Sequence, residues 1–196
     1  MRICLIRHAS TSWNEAGQIQ GQTDIPLSPL GRMQVAAWRL PAEVAAWHCI
    51  TSPLSRARET ADLLGFTEAM VDPRLVEMRW GDFEGHSLSA LRDEQGERMR
   101  ELEALGLDFR PPGGESPREV AARLTACLRD LAVTERDHLI VAHKGILRAS
   151  LVLACGWDML GKPPVRYDGE RALIFTLSPI GVLHLLRVEP LRPEGT

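Results

Sequence analysis

Two histidines follow short apolar runs that lie far apart in the sequence. Residues 2–7 are rich in Ile and Leu and are followed by His8, and the run His138–Ala142 is followed directly by His143. Apolar runs of this length are typical of buried strands. Because ligands bind α/β sheets at the carboxyl ends of the strands, we expect both imidazoles to face one site.

Three charged residues are predicted at the same edge. Arg7 precedes His8, Arg56 lies in the first turn of the helix that follows strand 49–51, and Glu77 follows a strand at 69–71. Two guanidiniums can hold a phosphoryl group through bidentate contacts. A neutral imidazole can attack phosphorus, and a second imidazole, if protonated, can stabilise the charge on the phosphoryl oxygens.

A carboxylic acid beside these groups can protonate the leaving oxygen and later deprotonate water. The five residues together therefore indicate phosphoryl chemistry, and no metal is required because the arginines supply the positive charge. Taken singly, each residue has an ordinary structural interpretation: a lone His at a strand end is commonly structural, and a lone helix Arg is commonly at the surface. No Asp or His cluster has the spacing of a two-metal site.

Strands and helices alternate along the chain, and this order predicts the scaffold. Ser28-Pro29 and Ser52-Pro53 each match a serine N-cap followed by proline in the first helical turn. Ser116 and Glu119 form a capping box before a helix. The remaining predicted elements are strand 138–142, helix 145–154, a hairpin of strands 173–177 and 182–188, and a poorly ordered tail from 189 to 196. The order predicts an α/β fold, a three-layer α/β/α sandwich whose mostly parallel central sheet includes one antiparallel strand.

At 196 residues the chain is expected to form a single domain, 1–196. Two segments have compositions suited to the walls of a site. Residues 12–24 are dense in amides and hydroxyls, which favours a neutral hydrogen-bonding wall after the first strand. Residues 88–105 are strongly charged with a thin apolar stripe, so we expect a helical insert at about 84–116 that covers the site.

The composition excludes several classes of partner and location. A net charge of −3 gives no support for a nucleic-acid-binding surface. No apolar run is long enough for a membrane span, and the amino terminus lacks the apolar region of a signal peptide, so a cytoplasmic protein is expected. The four cysteines are not paired at metal-ligand spacing, which favours buried thiols in a reducing compartment.

Several ordered motifs resemble those of the histidine phosphatase superfamily, the clan that includes the cofactor-dependent phosphoglycerate mutases. The similarity spans roughly residues 1–187. The matching stretches are Leu5-Ile6-Arg7-His8-Ala9-Ser10-Thr11-Ser12-Trp13-Asn14, Gln20-Gly21-Gln22-Thr23-Asp24-Ile25-Pro26-Leu27-Ser28, Thr51-Ser52-Pro53-Leu54-Ser55-Arg56-Ala57-Arg58-Glu59-Thr60-Ala61, Glu77 with Trp80-Gly81-Asp82-Phe83-Glu84-Gly85, Pro112-Gly113-Gly114-Glu115-Ser116, and Val141-Ala142-His143-Lys144-Gly145.

The resemblance implies a role for each matching residue. His8 would be the phosphorylated nucleophile, and Glu77 would be the proton donor, with Asp82 and Glu84 as competitors for that role. The phosphate pocket would be completed by Arg7, Arg56 and His143. The substrate or its phosphate would be contacted by Asn14, Gln20 and Gly21. No metal and no cofactor are expected, because the arginines supply the positive charge.

Two residues depart from the family's motifs. Ala9 stands where the family usually has Gly, which is a mild change if the backbone there has negative φ. Lys144 stands where the family often has Gly, directly after the second histidine. Its cation could bind the substrate or point to solvent, and both alternatives are open.

The resemblance implies a phosphomonoester hydrolase that acts on a small phosphorylated metabolite through phosphohistidine. One alternative is a phosphoglycerate mutase-type phosphoryl transfer, but the segment between Glu77 and His143 is short and as rich in acids as in arginines, whereas mutases of this clan carry a longer, more basic insert. The other alternative is a non-catalytic protein that binds phosphorylated ligands on the same fold. The substrate and the oligomeric state, with a homodimer as one option, are left open by the sequence.

Overall fold

The computed structural model describes residues 1–191, in which helices flank a six-stranded sheet. The strands are β1 (Arg2–Arg7), β2 (His48–Thr51), β3 (Met70–Val71), β4 (His138–Ala142), β5 (Arg171–Leu177) and β6 (Leu183–Pro190). The α-helices are α1 (Ser12–Glu15), α2 (Pro29–Ala37), α3 (Ser55–Leu63), α4 (Leu88–Gln95), α5 (Glu97–Glu103), α6 (Pro117–Ala132) and α7 (Lys144–Cys155). Short 3₁₀ turns lie at Ala42–Ala46, Pro73–Leu75, Gly81–Phe83 and Gly106–Asp108.

The sheet has the strand order β3-β2-β4-β1-β5-β6. The β3–β2, β2–β4 and β4–β1 pairs are parallel, whereas β5 pairs antiparallel with both β1 and β6. One strand therefore runs against the other five. The α/β class and the mostly parallel sheet with one antiparallel strand are confirmed.

The two faces of β1 bury apolar side chains in two separate cores. Ile3 and Leu5 belong to a core built with α6 and α7, while Cys4 and Ile6 belong to a core built with α2 and α3. The period-two alternation of a strand places successive side chains on opposite faces, so helices must cover both. This packing produces the predicted three layers.

The register of the parallel strands brings three chain segments to one edge of the sheet. Arg7 pairs with Ala142 and Thr51 pairs with Val141. The backbone N–H of His8 donates to the carbonyl of Ala142 at 2.9 Å, and that of Ser52 donates to the carbonyl of Val141 at 3.2 Å. The residues that follow β1, β2 and β4 therefore leave the sheet side by side.

Two of the three predicted helix starts have the expected caps. Ser28 caps α2, and Ser116 forms the predicted capping box with Glu119 at the start of α6. The predicted start at Ser52-Pro53 is wrong, because α3 begins at Ser55 and has no side-chain cap from its own N-cap residue. Instead, the carboxylate of Asp24 accepts hydrogen bonds from the Ser55 N–H at 2.9 Å and hydroxyl at 2.8 Å.

The segment predicted as a helical insert contains two α-helices, α4 and α5, and the 3₁₀ turn Gly106–Asp108. Gly96 separates the helices at φ 53° and ψ −115°, a conformation that side chains rarely adopt. The segment 12–24, expected as a hydrogen-bonding wall, begins with the short α1.

The carboxyl end is more ordered than the sequence predicts. The strand β6 extends through Pro190, and Leu191 is buried, with its carbonyl accepting from Arg39 N–H at 2.6 Å. The expectation of poor order from Glu189 is therefore wrong for residues 189–191, and the rest of that tail lies outside the described residues. None of the helices within 1–191 is long and apolar enough to cross a membrane. All four cysteines are free thiols, and three of them are buried.

Candidate active site

His8 lies at the carboxyl end of β1 with its imidazole fixed in one tautomer. Its Nδ1 is 2.7 Å from the carbonyl oxygen of Ala9. A carbonyl only accepts, so Nδ1 carries the proton and the lone pair of a neutral ring is on Nε2. Burial lowers the pKa of His8 well below its ordinary value, and the charges of Arg7 and Arg56 lower it further. The ring is therefore neutral at pH 7, with a nucleophilic Nε2.

His143 lies directly beside His8 and is completely buried. The two ring centroids are 5.1 Å apart. Its Nε2 is 2.7 Å from the Ser52 hydroxyl, which itself accepts from the Leu54 N–H at 3.3 Å. The Ser52 hydroxyl has a second lone pair, so it can either donate to Nε2 or accept from it, and Nδ1 of His143 is buried without a partner.

The charge on His143 differs from the sequence-based expectation of a protonated second imidazole. Burial, followed by the effects of His8, Arg56 and Arg7, lowers the pKa of His143 well below its ordinary value. The neutral ring is therefore the state that the protein favours, although a phosphoryl dianion on His8 would act in the opposite direction. His143 lies behind His8 and does not itself line the cavity described below.

Two arginines supply positive charge next to His8. Arg56 is fully buried, and its terminal nitrogens donate to the carbonyls of Thr23 at 2.9 Å and Gly21 at 2.7 Å. Arg7 makes no side-chain hydrogen bond within residues 1–191, and its Nε is buried without a partner. Burying a charged group without a counter-charge is costly. This pair therefore favours an anion in the space between them and His8.

The carboxylate of Glu77 is held by the backbone at the start of α7. Its Oε1 accepts from the Gly145 N–H at 2.9 Å and from the Met78 N–H at 2.7 Å. These two contacts fix the orientation of the carboxyl group beside the cavity. Glu77 shares a cavity wall with Arg7, His8 and Arg56.

The two competing carboxylates are placed differently. Glu84 accepts backbone N–H bonds from Gln22, Thr23 and Trp80, each at 3.0 Å, so it organises the loop that holds Arg56. Asp82 is exposed and does not line the cavity. Of the three carboxylates, only that of Glu77 faces the space beside His8.

These groups line a cavity of about 540 Å³. The insert forms part of its wall through Leu88, Arg92, Glu103, Gly106 and Phe109. The other lining residues are Arg7, His8, Asn14, Gly17, Gln18, Ile19, Gln20, Gly21, Arg56, Glu77, Met78, Trp80, Pro117, Val120, Lys144, Gly145, Arg148 and Met159. The cavity is therefore polar beside His8 and mixed on the side of the insert, where Leu88 and Phe109 are apolar and Arg92 and Glu103 are charged.

The predicted substrate-binding residues all line this cavity. Asn14 uses its Oδ1 to accept from the Thr11 N–H, so its amide N–H₂ is the group left for a ligand. Gln20 is buried, and its Oε1 has no partner. Gly21 has φ 53°, and a Cβ there would lie 1.9 Å from Glu84 Oε1, so only glycine fits.

Lys144 is the first residue of α7 and lies exposed at the edge of the cavity. Partial desolvation lowers its pKa, and the charges of Arg7 and Arg148 lower it further. The side chain therefore lies with the cationic groups of the cavity. The sequence did not indicate Arg148, which lines the same wall, or Ser52, whose Ser-Pro pattern suggested a helix cap.

A model of the histidine phosphatase superfamily (branch 1) matches residues 3–169. The chain belongs to the histidine phosphatase superfamily. It is 35% identical over 159 residues to a probable phosphoglycerate mutase GpmB from Escherichia coli O1:K1, covering 78% of this chain and 73% of that protein.

Two solved structures are similar over nearly the whole chain. Mycobacterial glucosyl-3-phosphoglycerate phosphatase Rv2419c, solved in complex with VO3, superposes with a TM-score of 0.77 at 27% identity and covers 98% of this chain and 99% of that one. Bacillus stearothermophilus YhfR superposes with a TM-score of 0.79 at 27% identity and covers 94% of each chain. The relatives of this chain thus carry the names of both mutases and phosphatases.

The departure from the superfamily pattern at Ala9 is compatible with the backbone. Ala9 is not among the residues with positive φ, so its Cβ causes no strain. It is buried, and its N–H donates to the Thr60 hydroxyl at 3.2 Å. The mild effect anticipated for this replacement is therefore consistent with the structure.

Proposed function

We propose that the protein is a phosphomonoester hydrolase that acts on a small phosphorylated metabolite through a phosphohistidine on His8. The observation that carries this proposal is the bond from His8 Nδ1 to the Ala9 carbonyl, which leaves Nε2 as an uncharged nucleophile in a cavity with two guanidiniums and one carboxylate. Phosphoryl chemistry is also supported by membership of the superfamily.

In the first step, Nε2 of His8 attacks phosphorus. The P–N bond forms as the ester P–O bond breaks, and the leaving oxygen takes a proton from the carboxylic acid form of Glu77. Arg7 and Arg56 hold the phosphoryl oxygens, and His143, in the tautomer protonated at Nδ1, donates to the group once it is on His8.

In the second step, water attacks the phosphohistidine. The Glu77 carboxylate left by the first step takes the proton of the water, the P–N bond breaks, and neutral His8 is regenerated with inorganic phosphate as product. The positive charge comes from the arginines, so we propose that neither a metal nor a cofactor takes part.

Hydrolysis is preferred to transfer because of the insert. A mutase must keep water from its phosphoenzyme until a second substrate arrives. Here Arg92, the one basic residue that the insert contributes to the cavity, is paired with Glu103 at 2.6 Å, so it is neutralised. Lys144 and Arg92 are exposed, so water has access to the cavity edge. The name of the GpmB relative keeps mutase activity as the second candidate.

The test is phosphate release from a panel of metabolite esters and an aryl phosphate, in the presence of a metal chelator. We expect turnover that His8→Ala abolishes and that needs no bisphosphoglycerate primer. Isomerisation of phosphoglycerate that depends on such a primer would support the mutase instead. Tight binding of esters without turnover would overturn both and support the non-catalytic binding protein.

A further inference from the structure

The first two turns of α7 place two cationic side chains at the cavity, in addition to Arg7 and Arg56 beside His8. Lys144 and Arg148 both line the cavity wall. Residues four apart lie on the same face of a helix, with their Cβ atoms about 5–6 Å apart. The two side chains therefore form one cationic patch on the wall that follows His143.

No carboxylate of the described chain forms an ion pair with this patch, although the charge of Glu77 acts on Lys144 from a distance. Neither Lys144 nor Arg148 takes part in an ion pair or a side-chain hydrogen bond within residues 1–191. The contrast is Arg92, which lines the same cavity but is paired with Glu103 at 2.6 Å. Arg148 instead lies over the ring of Trp157 at 5.3 Å, and its buried Nε has no acceptor.

The arrangement leaves more positive charge than one phosphoryl group needs. Arg7 and Arg56 already flank His8, and Glu77 is held by the backbone N–H groups of Met78 and Gly145. Along the α7 axis, Arg148 lies five residues beyond His143, which is about 7.5 Å at the rise of an α-helix. Arg148 is therefore set apart from the phosphoryl position by the length of a short spacer, while Lys144 lies nearer to it, directly after His143.

We propose that Lys144 and Arg148 bind a second anionic group of the substrate, so that the preferred substrate is a small phosphomonoester with a second negative charge a few atoms from the ester. This inference rests on the proposed function, because the patch can select a substrate only if the protein is a hydrolase. The chemistry shared by the candidate groups is that of an oxyanion, either a carboxylate or a second phosphate.

The test measures binding first, because binding does not depend on turnover. Calorimetric titration compares phosphonoacetate, 3-phosphonopropionate and 4-phosphonobutyrate with alkyl phosphonates of the same length. We expect at least one carboxylated member to bind at least tenfold more tightly than its uncharged match. Bisphosphonates of the same spacing then show whether carboxylate or phosphate is preferred.

Charge-removing variants assign the effect to the patch. Lys144→Met and Arg148→Met should each reduce the preference at least threefold, while Lys162→Met, which removes the other lysine of the chain away from the cavity lining, should not change it. Equal binding of each matched pair, or a preference that survives both variants, would overturn the inference.

Turnover separates this inference from the proposed function. Hydrolysis of aryl phosphates with no preference for doubly charged ligands would overturn the anion patch alone. A clear preference for doubly charged ligands in a protein that hydrolyses no ester would overturn the proposed hydrolase function. The patch would then be a ligand-binding site without a role in hydrolysis.

Discussion

The carboxylate of Glu77 occupies the space that any side chain at position 145 would need. A Cβ built on Gly145 would lie 2.2 Å from Glu77 Oε1, the same atom that accepts the Gly145 N–H at 2.9 Å. Gly145 therefore acts on Glu77 twice, as a hydrogen-bond donor and by leaving room for it. The position of the proposed acid depends on a residue that carries no chemistry of its own.

Gly145→Ala should displace the Glu77 carboxylate and slow substrates whose leaving oxygen needs a proton. We expect kcat for alkyl phosphates to fall by about 10²-fold, the lower range of what general acid catalysis contributes, with a smaller loss for activated aryl phosphates. The matched control is Gly169→Ala, because the nearest atom to a Cβ there is Arg7 NH1 at an ordinary 3.7 Å. A similar selective loss of alkyl phosphate turnover in both variants would contradict this positioning role.

Glu77→Gln should reproduce that selectivity more strongly, because the amide cannot give up a proton. The expected loss is about 10²–10⁴-fold for alkyl phosphates. The measurement is the slope of log kcat against the pKa of the leaving alcohol, which should become steeper than in the wild type. Asp82→Asn serves as the control, since Asp82 lies outside the cavity lining. An unchanged slope in Glu77→Gln would assign the proton to another group.

Acidification from pH 7 to pH 5 should destabilise the protein through its buried histidines. Burial is the main cause that lowers the pKa of His8, His138 and His143 below the ordinary value of 6.5. Below pH 6.5 the unfolded chain takes up protons that the folded protein does not. The free energy of unfolding therefore decreases as the pH is lowered, by at most about 1.4 kcal/mol per pH unit for each histidine. Carboxylates titrate in the unfolded chain near pH 4 and contribute little in this window.

Denaturant unfolding at pH 7, 6 and 5 measures this slope, and His138→Gln isolates one contribution away from the active site. His138 is buried, with its Nε2 2.9 Å from the Thr134 hydroxyl. The variant should show a shallower loss of stability between pH 7 and pH 5, whatever its stability at pH 7. If the free energy of unfolding changes equally with pH in the variant and the wild type, His138 has the same proton affinity in the folded and unfolded protein.

The sequence predicted the edge at which the site forms because two signals agreed there. Apolar runs ended at His8 and His143, and the carboxyl ends of parallel strands meet at one edge of a sheet. The structure brings the two rings to 5.1 Å. These placements follow from local patterns and one rule of topology, so they need no knowledge of tertiary contacts.

Ser52 shows where local patterns stop being informative. Its Ser-Pro sequence is the same as that of Ser28, which does cap a helix. The hydroxyl of Ser52 instead contacts His143, a residue 91 positions away that only the register of β2 and β4 brings near. Arg148 was missed for a related reason, since helical spacing does not show which face of α7 meets the cavity, whereas Lys144 was a candidate from its place after His143.

The most direct measurement is the identity of the phosphorylated atom during turnover. The enzyme is mixed with an aryl phosphate, quenched in alkali, and the phosphopeptide is analysed by mass spectrometry and by NMR of the phosphoimidazole. We expect phosphate on Nε2 of His8, formed in the first turnover, and neither phosphoenzyme nor product in His8→Ala. Phosphate on His143 or another residue, or near-normal turnover by His8→Ala, would contradict the assignment of His8 as the nucleophile.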